Sequence, residues 1–221
     1  MLIKFSKCID IIQSIHGCPI NTVFHVGAHE GQEAESYAQF NVQKVAWFEA
    51  NPNLIPKLEA HVFNFPIDNQ IIPYALWDKT TELEFNITNY DQSSSLFDLD
   101  KHSEYYPNIF VKEKIMINAF RLDSLIEVSP KFLKWHNFDF LNIDTQGAEL
   151  AILRGIGKYL SSVNLKAIYL EVNSEKLYKN IPLVNEIDDF LANFDFYRCI
   201  TAWTYAGWGD ALYVKQNTFN N

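Results

Sequence analysis

"TVFHVGAHEGQEAESYAQF" (residues 22–40) joins a predicted strand to a predicted helix through a turn that contains two glycines. Its first residues are β-branched and apolar, which favours a buried strand, and its last nine residues have the pattern of a helix. The glycines are Gly27 and Gly31. A dinucleotide-binding turn normally has a further glycine where His29 stands, because the backbone approaches a pyrophosphate closely there. The turn is therefore typical of an α/β fold, but it lacks the glycine that a diphosphate requires.

Predicted strands and helices alternate along the chain on both sides of this turn. Strands are predicted at residues 22–28, 44–50, 70–77, 138–144, 165–172, 197–203 and 210–215. Helices are predicted at residues 32–40, 52–62, 148–160 and 183–194, after an N-terminal helix within residues 1–20. Since strands that are apolar on both faces need helices to cover them, this pattern predicts an α/β fold. Its sheet is doubly wound and mostly parallel, with helices on both faces.

One proline indicates where the third predicted strand lies. Pro73 falls inside that strand and has no backbone N–H to donate, so the strand is expected at an edge of the sheet. The doubly wound order 3-2-1-4-5 places strand three at an edge. In this order the ends of strands one and four flank the crevice in which a ligand binds.

The regular alternation stops between residues 78 and 137, a connection far longer than an ordinary loop. Within this insertion, residues 81–88 and 110–120 alternate as strands do and predict a hairpin. Residues 89–108 between them are polar and rich in aromatic side chains. We interpret this insertion between strands three and four as a candidate substrate lid. The alternative is a solvated connection without a chemical role.

The composition limits the classes of protein. The 221 residues are 48% hydrophobic, which predicts a single domain over residues 1–221, with a frayed tail at 216–221. A formal net charge of -9 argues against binding to nucleic acid or to an anionic membrane. No segment has the apolar length of a membrane span. The three cysteines form no CxxC pair and are typical of a reduced, cytoplasmic protein. The oligomeric state cannot be derived from the sequence.

An acidic residue ends the second predicted strand. Glu49 lies 22 residues after Gly27, the distance at which an acidic side chain meets the ribose hydroxyls of an adenosine cofactor. NAD would bring a diphosphate to the turn, whereas S-adenosylmethionine brings a zwitterionic amino acid and a cationic sulfonium. His29 interferes with the diphosphate, and carboxylates at Glu49 and Asp144 favour a cation. The residues therefore favour S-adenosylmethionine, with NAD as the alternative.

Five stretches resemble the FkbM family of S-adenosylmethionine-dependent methyltransferases. They are FHVGAHEGQE, WFEANP, LNIDTQGAELAILRG, YLEVN and GDALYVK, in this order between about residues 23 and 215, and IDTQGAE is the most specific. The resemblance implies a Rossmann-like class I methyltransferase that methylates oxygen, often a hydroxyl of a sugar or a natural product. The family commonly has an acidic residue at the position of His25 and an asparagine at that of His29. The contact to the methionine amino group is therefore expected to differ here.

The predicted cofactor-binding residues lie in the glycine turn and at or beside the ends of neighbouring strands. They are His25, Gly27, Ala28, His29, Gly31, Glu49, Ala50, Ala75 and Asp144. His25 and His29 are four residues apart, as in some metal sites. They straddle a strand and a turn rather than sharing one helix face, so we expect no metal here.

Methyl transfer to a hydroxyl needs aligned reactants and a positioned base. Asp144 and Glu171 end strands four and five at the crevice and are the leading candidates. The resemblance implies that Asp144 lies near the methionine part of the cofactor, where it binds the ammonium group or orients the acceptor; the alternative is a cap for the helix that follows. His102 is a third candidate base because its ordinary pKa lies near neutrality, although a surface histidine is the alternative.

The acceptor is expected to be a small-molecule or glycan hydroxyl compound, and a sugar is favoured. The predicted substrate-binding residues are Gln146, Tyr90, Ser94 and Tyr105: a turn amide, a loop hydroxyl and two aromatic rings that suit a sugar. Two other functions remain open from the sequence. One is an NAD(P)-dependent oxidoreductase on the same fold, and the other is a Rossmann-like binding module without turnover.

Overall fold

The computed structural model describes residues 1–128 and 133–216. The predicted tail at 216–221 lies outside the described residues from position 217 onward. In the described part the strands are β1 Thr22–Val26, β2 Lys44–Phe48, β3 Asp68–Ile72, β4 Ala75–Leu76, β5 Thr81–Thr88, β6 Val111–Phe120, β7 Phe140–Ile143, β8 Ala167–Asn173, β9 Phe196–Trp203 and β10 Trp208–Lys215.

Seven of these strands form one sheet in the order β3-β2-β1-β7-β8-β10-β9. Within this sheet β3, β2, β1, β7 and β8 are parallel to their neighbours, and β10 is antiparallel to both β8 and β9. The first five strands have the predicted 3-2-1-4-5 order, so the prediction of a doubly wound, mostly parallel sheet is confirmed. This order places β1 and β7 side by side in the middle of the sheet, with their carboxyl ends next to each other.

Helices cover both faces of the large sheet. The described helices are α1 Phe5–His16, α2 Ala34–Gln39, α3 Ile55–Val62, α4 His102–Tyr105, α5 Leu122–Val128, α6 Glu149–Ile156 and α7 Val184–Ala192. Buried side chains of α1 to α3, such as Tyr37, pack with Trp47 and its neighbours on one face. Buried side chains of α5 to α7, such as Ile152, pack with Phe24 and its neighbours on the other. Each face thus has its own hydrophobic core.

The third predicted strand is divided at its proline. β3 ends at Ile72 and occupies the edge of the seven-stranded sheet, as predicted. Pro73 follows directly, and β4 then begins a separate three-stranded sheet. The prediction of one continuous strand over residues 70–77 is therefore wrong. Because a proline donates no hydrogen bond, the chain leaves the large sheet at this point.

The insertion contains the predicted hairpin. β5 and β6 pair antiparallel, and β4 joins them in the order β4-β6-β5. The polar loop between β5 and β6 includes α4, and the loop is tied to the segment after β8. The backbone N–H groups of Asp100 and His102 both donate to the carbonyl of Leu177, each at 2.9 Å. The insertion therefore has a fixed position beside the carboxyl end of β8.

None of the helices within residues 1–128 and 133–216 combines the length and the hydrophobicity that a transmembrane span requires.

We predict that Gly155→Ala destabilises the protein by about 1–3 kcal/mol. Gly155 lies inside α6, where helix propensity alone would make alanine about 1 kcal/mol more stable. However, a Cβ at Gly155 would lie 2.0 Å from the backbone oxygen of Trp77, which cannot move without shifting β4. Urea unfolding measures the change.

The control is Ser14→Ala on the exposed side of α1, which should change the free energy of unfolding by less than about 0.5 kcal/mol. A Gly155→Ala protein that is as stable as the original, or more stable, would show that α6 does not pack closely on the segment after β4.

Candidate functional site

A cavity of about 840 Å³ lies at the carboxyl ends of β1, β2, β7 and β8, and residues of the insertion line part of its wall. Most of the residues predicted for the site line this cavity. They are His25, Gly27, His29, Glu49, Ala50, Ala75, Tyr90, Ser94, His102, Asp144, Gln146 and Glu171. The structure therefore brings together candidates from six separate stretches of the chain.

Three predicted residues are not on the lining. Ala28 is 1% exposed and belongs to the core. At Gly31, where φ is +75°, a Cβ would lie 2.5 Å from the Val62 side chain, so this glycine allows α3 to pack closely. Tyr105 packs its ring against Tyr205, with centroids 6.2 Å apart. These positions shape or flank the site, and the structure does not place them at its surface.

The glycine turn is formed by close approach of two strand ends. Gly27 has a φ of +80°, and a Cβ there would lie 1.8 Å from the backbone oxygen of Asp144. Only glycine fits at this position. Its N–H donates to the carbonyl of Phe48 at 2.9 Å, which ties the turn to β2. The first glycine of the turn is therefore required to bring the ends of β1, β2 and β7 around one space.

Glu49 lies in the wall of the cavity next to this turn. Its carboxylate accepts the backbone N–H of His29 on one oxygen and that of Asn51 on the other, both at 2.7 Å. The side chain is 6% exposed, and burial raises its pKa to about 7 although these hydrogen bonds act to lower it. Glu49 is therefore held in place and close to its protonation point at neutral pH.

His25 lies on β1 among polar neighbours and is 2% exposed. Its Nδ1 is 3.1 Å from the hydroxyl of Tyr37 and 3.4 Å from the amide nitrogen of Asn142. Burial lowers the pKa of His25 to about 4, although the nearby Glu33 carboxylate acts to raise it. The imidazole is therefore neutral at pH 7.

Asp144 and Glu171 are linked by one amide. The Nε2 of Gln146 donates to Oδ1 of Asp144 at 3.0 Å and to Oε2 of Glu171 at 2.6 Å. The hydroxyl of Tyr178 donates to Oε1 of the same amide at 2.9 Å, and the hydroxyl of Ser95 donates to the backbone carbonyl of Gln146 at 2.7 Å. Gln146 thus connects two strand ends with the insertion and the segment after β8.

The two linked carboxyls have raised pKa values. Desolvation by the surrounding protein, and after it the carboxylate of Asp210, raise the pKa of Asp144 to about 7. The Asp144 side chain is nevertheless exposed to the cavity. Burial and the nearby charge of Asp144 raise the pKa of Glu171 well above its ordinary value. Two carboxyls this close cannot both ionise easily without a cation.

Glu149, and not Asp144, holds the turn before α6. Its Oε1 accepts the backbone N–H and the hydroxyl of Thr145 at 3.1 and 3.0 Å, and the N–H of Gly147 at 3.2 Å. The side chain is 1% exposed. The alternative role of Asp144 as a helix cap is therefore not seen, which leaves its carboxylate available to the cavity.

His102 lies on α4 and is 4% exposed, so the alternative of a surface histidine is wrong. Its ring packs against those of Tyr106 and Tyr178, with centroids 4.9 and 5.2 Å apart. Burial lowers its pKa, and the imidazole is therefore neutral at pH 7. The backbone bonds between α4 and Leu177 are what carry this loop residue into the wall of the cavity.

Further polar residues on the lining were not predicted from the sequence. They include Glu33, Asn51, Asp91, Asn142 and Asp210. Among the described residues, four buried atoms of the lining have no hydrogen-bond partner: Nε2 of His29, Nδ2 of Asn51, Oδ1 of Asn142 and Nδ1 of His102. Unpartnered buried polar atoms are costly, so they indicate that a ligand or water completes the site.

The electrostatic character of the cavity is strongly acidic. Six carboxyls line it, those of Glu33, Glu49, Asp91, Asp144, Glu171 and Asp210. Of the described residues that line the cavity, none is Lys or Arg. Within residues 1–128 and 133–216, no group of three or more ligating side chains is arranged to hold a metal ion. The N-terminal ammonium of Met1, which also lies on the lining, is 3.6 Å from Oε1 of Glu33, so the described lining balances the Glu33 carboxyl but sets no Lys or Arg against the other acids.

Comparison with known proteins identifies relatives by sequence and by fold. The profile of the Methyltransferase FkbM domain matches residues 25–197, and no curated protein matches the chain. An rRNA methylase from Streptococcus thermophilus is similar with a TM-score of 0.53 at 10% identity, over 97% of this chain and 98% of that chain. A precorrin-6y methyltransferase from Geobacter metallireducens has a TM-score of 0.51 at 10% identity, over 98% and 91%. A ribosomal protein methylase from Lactobacillus delbrueckii has a TM-score of 0.52 at 12% identity, over 97% and 79%. These identities show the fold alone.

We predict that the free protein loses stability as the pH rises from 6.5 to 8.5. The folded state keeps the Glu49 proton up to about pH 7, whereas the unfolded state has already released it near its ordinary pKa of about 4.5. Between pH 6.5 and 8.5 only the folded state therefore loses a proton, and this loss lowers the free energy of unfolding. His25 has the opposite effect, because its imidazole is neutral in the folded state while its unfolded pKa is about 6.5, and this smaller effect has ended by about pH 7.5. Thermal unfolding across this range measures the trend, to which Glu49 contributes about 1 kcal/mol.

Glu49→Gln should make the stability less dependent on pH in this range, whereas the control Glu59→Gln, on the exposed side of α3, should leave the dependence unchanged. A stability that is constant or rises over the same range would contradict the raised pKa of the cavity acids.

Proposed function

The chain belongs to the FkbM family of methyltransferases, and on this basis we propose that it methylates a hydroxyl oxygen of a small-molecule or glycan acceptor. The family match makes the chain an S-adenosylmethionine-dependent methyltransferase on a Rossmann-like α/β fold. The choice of oxygen, the sugar or natural-product class of acceptor and the roles of individual residues are the proposal. A cytoplasmic location remains a prediction from the cysteine pattern.

The observation that carries the proposal is the acidic cavity at the ends of β1, β2, β7 and β8. A diphosphate in this space would meet carboxylates such as Glu49 and Asp144, and no Lys or Arg among the described lining residues would balance it. S-adenosylmethionine instead brings an ammonium and a sulfonium, which such acids attract. The oxidoreductase alternative therefore lacks the positive charge that its cofactor requires.

The residues present fit this cofactor. Glu49 is fixed at the end of β2, where its carboxylate is suited to the ribose hydroxyls, and the unpartnered Nδ2 of Asn51 lies beside it as a donor. On the other side, Asp144 and the unpartnered Oδ1 of Asn142 are acceptors for the methionine ammonium. His25, which is neutral, stands where the family commonly has an acidic residue, and we propose that Asn142 and Asp144 supply the polar contacts there.

When bound, S-adenosylmethionine supplies a methyl group whose bond to the positively charged sulfur breaks, with the electrons left on sulfur, as a lone pair of the acceptor oxygen forms the new bond. The proton of the hydroxyl needs a base in this chain. Glu171 is suited because it faces the cavity, and because burial and the nearby Asp144 charge raise the pKa of its carboxyl and so make the carboxylate a stronger base. His102 is suited because its imidazole is neutral and its Nδ1 is unpartnered.

The insertion forms the acceptor side of the proposed site. Tyr90 is 52% exposed at the cavity, so its ring is available to a sugar. The hydroxyl of Ser94 already accepts the N–H of Thr88 at 3.1 Å but can still donate to a ligand. Gln146 uses its amide to hold Asp144 and Glu171, so we propose that it orients the two acids rather than binding the acceptor itself.

We predict that S-adenosylhomocysteine raises the thermal unfolding temperature and that NAD does not, because ligands stabilise only the state that binds them.

In Glu49→Ala the affinity for S-adenosylhomocysteine should fall about tenfold or more, since a charge-assisted contact to the ribose is lost. Calorimetric titration measures the affinity. Glu59→Ala, an exposed change on α3, is the matched control and should bind as the original protein does.

Stabilisation by NAD and not by S-adenosylhomocysteine would overturn the proposed activity. An unchanged affinity in a folded Glu49→Ala protein would show that the ribose lies elsewhere. Binding of the cofactor without methylation of any hydroxyl compound in a broad panel would favour the binding module.

A further inference from the structure

We propose that the acceptor is a hydroxyl compound that carries a protonated amine, such as an amino sugar, and that Glu171 binds this amine. The inference rests on the proposed function, since it concerns the part of the same cavity that the cofactor leaves open.

The first support is the balance of charge. Six carboxyls line the cavity, and the described lining opposes them with the N-terminal ammonium of Met1, which is 3.6 Å from Oε1 of Glu33, but with no Lys or Arg. S-adenosylmethionine carries one ammonium, one sulfonium and one carboxylate, so its net contribution is a single positive charge. A phosphorylated or otherwise anionic acceptor would add to the excess of negative charge, whereas an amine would reduce it.

The second support is that some carboxyls of the cavity already have hydrogen-bond donors from the chain, whereas Glu171 has few. Glu49 accepts two backbone N–H groups, and Asp210 accepts the backbone N–H of Leu2 and the hydroxyl of Tyr169. Asp144 and Glu171 instead share the Gln146 amide, and Glu171 has in addition only a long contact of 3.4 Å from Asn173 within the described chain. If Asp144 binds the cofactor ammonium, Glu171 is the acid left for the acceptor.

The third support is an aromatic wall next to Glu171. β10 pairs with β8 so that Asp210 lies opposite Glu171 and Trp208 lies opposite Asn173. Trp208 lines the cavity, and its Nε1 donates to the hydroxyl of Tyr106 at 3.1 Å, which fixes a second ring on the same wall. Electron-rich ring faces beside a carboxylate favour a protonated amine.

A fourth observation concerns the hydroxyl itself. The Nδ1 of His102 has no partner among the described residues, and the ring packs directly against Tyr106. His102 is 4% exposed and lines the cavity, so a polar group of a bound ligand can form the hydrogen bond that this nitrogen lacks. An acceptor with an amine at Glu171 and a hydroxyl at His102 would satisfy both groups, and His102 would then serve as the base while Glu171 holds the amine.

The test compares three probes that share a ring but differ in charge. Glucosamine, glucose and glucose 6-phosphate are titrated at pH 7 into the protein loaded with S-adenosylhomocysteine, and binding is followed by saturation-transfer NMR. Glucosamine should bind about tenfold or more tightly than the other two, because it alone makes a charge-assisted contact. In Glu171→Gln this preference should largely disappear.

Asp91→Asn is the matched control. Asp91 also lines the cavity but lies on the Glu49 side, where its charge acts on Glu49, so the preference for glucosamine should be retained. Circular dichroism confirms that each variant is folded, and the comparison of probes in the original protein does not depend on any variant.

Equal binding of the three probes, tighter binding of glucose or its phosphate, or no binding of glucosamine by a protein that binds S-adenosylhomocysteine would overturn this inference alone. Retention of the preference in a folded Glu171→Gln protein would overturn the role of Glu171. A protein that fails to bind S-adenosylhomocysteine would overturn the proposed function and this inference with it.

Discussion

Six carboxyls line one cavity to which the described lining contributes no Lys or Arg, and this constraint underlies the chemistry of the site. Asp144 and Glu171 share a single amide donor, that of Gln146, and both have raised pKa values: desolvation and neighbouring carboxylates, chiefly that of Asp210 for Asp144 and that of Asp144 for Glu171, disfavour ionisation. A cationic ligand relieves this repulsion. The free protein therefore stores an unfavourable electrostatic interaction that the binding of its methyl donor removes, which favours S-adenosylmethionine over an anionic cofactor.

The fold is what keeps these like charges together. Gly27 lets the end of β1 approach Asp144 more closely than any side chain would allow, and Gln146 adopts a φ of 56°, a conformation that costs a non-glycine residue about 1 kcal/mol. Glu149, buried beneath the turn, accepts three hydrogen bonds that hold it in this shape. The insertion adds His102, which its backbone bonds to Leu177 carry to the same cavity.

Local sequence patterns were enough to predict the order of the first five strands, the edge position of β3, the hairpin in the insertion, and the place of Glu49 and Asp144 at strand ends, whereas Glu171 lies inside β8 near its carboxyl end. These features follow from periodicity and from residues adjacent to a strand. The patterns did not predict the burial of His102 or the contribution of Asp210. Both depend on pairing with segments far away in the chain, and no spacing rule reports such contacts. Tyr105 was predicted from its residue type alone, which does not determine the direction of a side chain.

The most direct measurement is a crystal structure of the protein with S-adenosylhomocysteine. The acidic cavity should hold the nucleoside with its ribose hydroxyls on the Glu49 carboxylate and its amino group near Asp144, with open volume remaining beside Glu171 and His102. A ligand bound outside this cavity, or a nucleoside that leaves Glu49 without contact, would contradict the assignment of the cavity as the methyl-donor site.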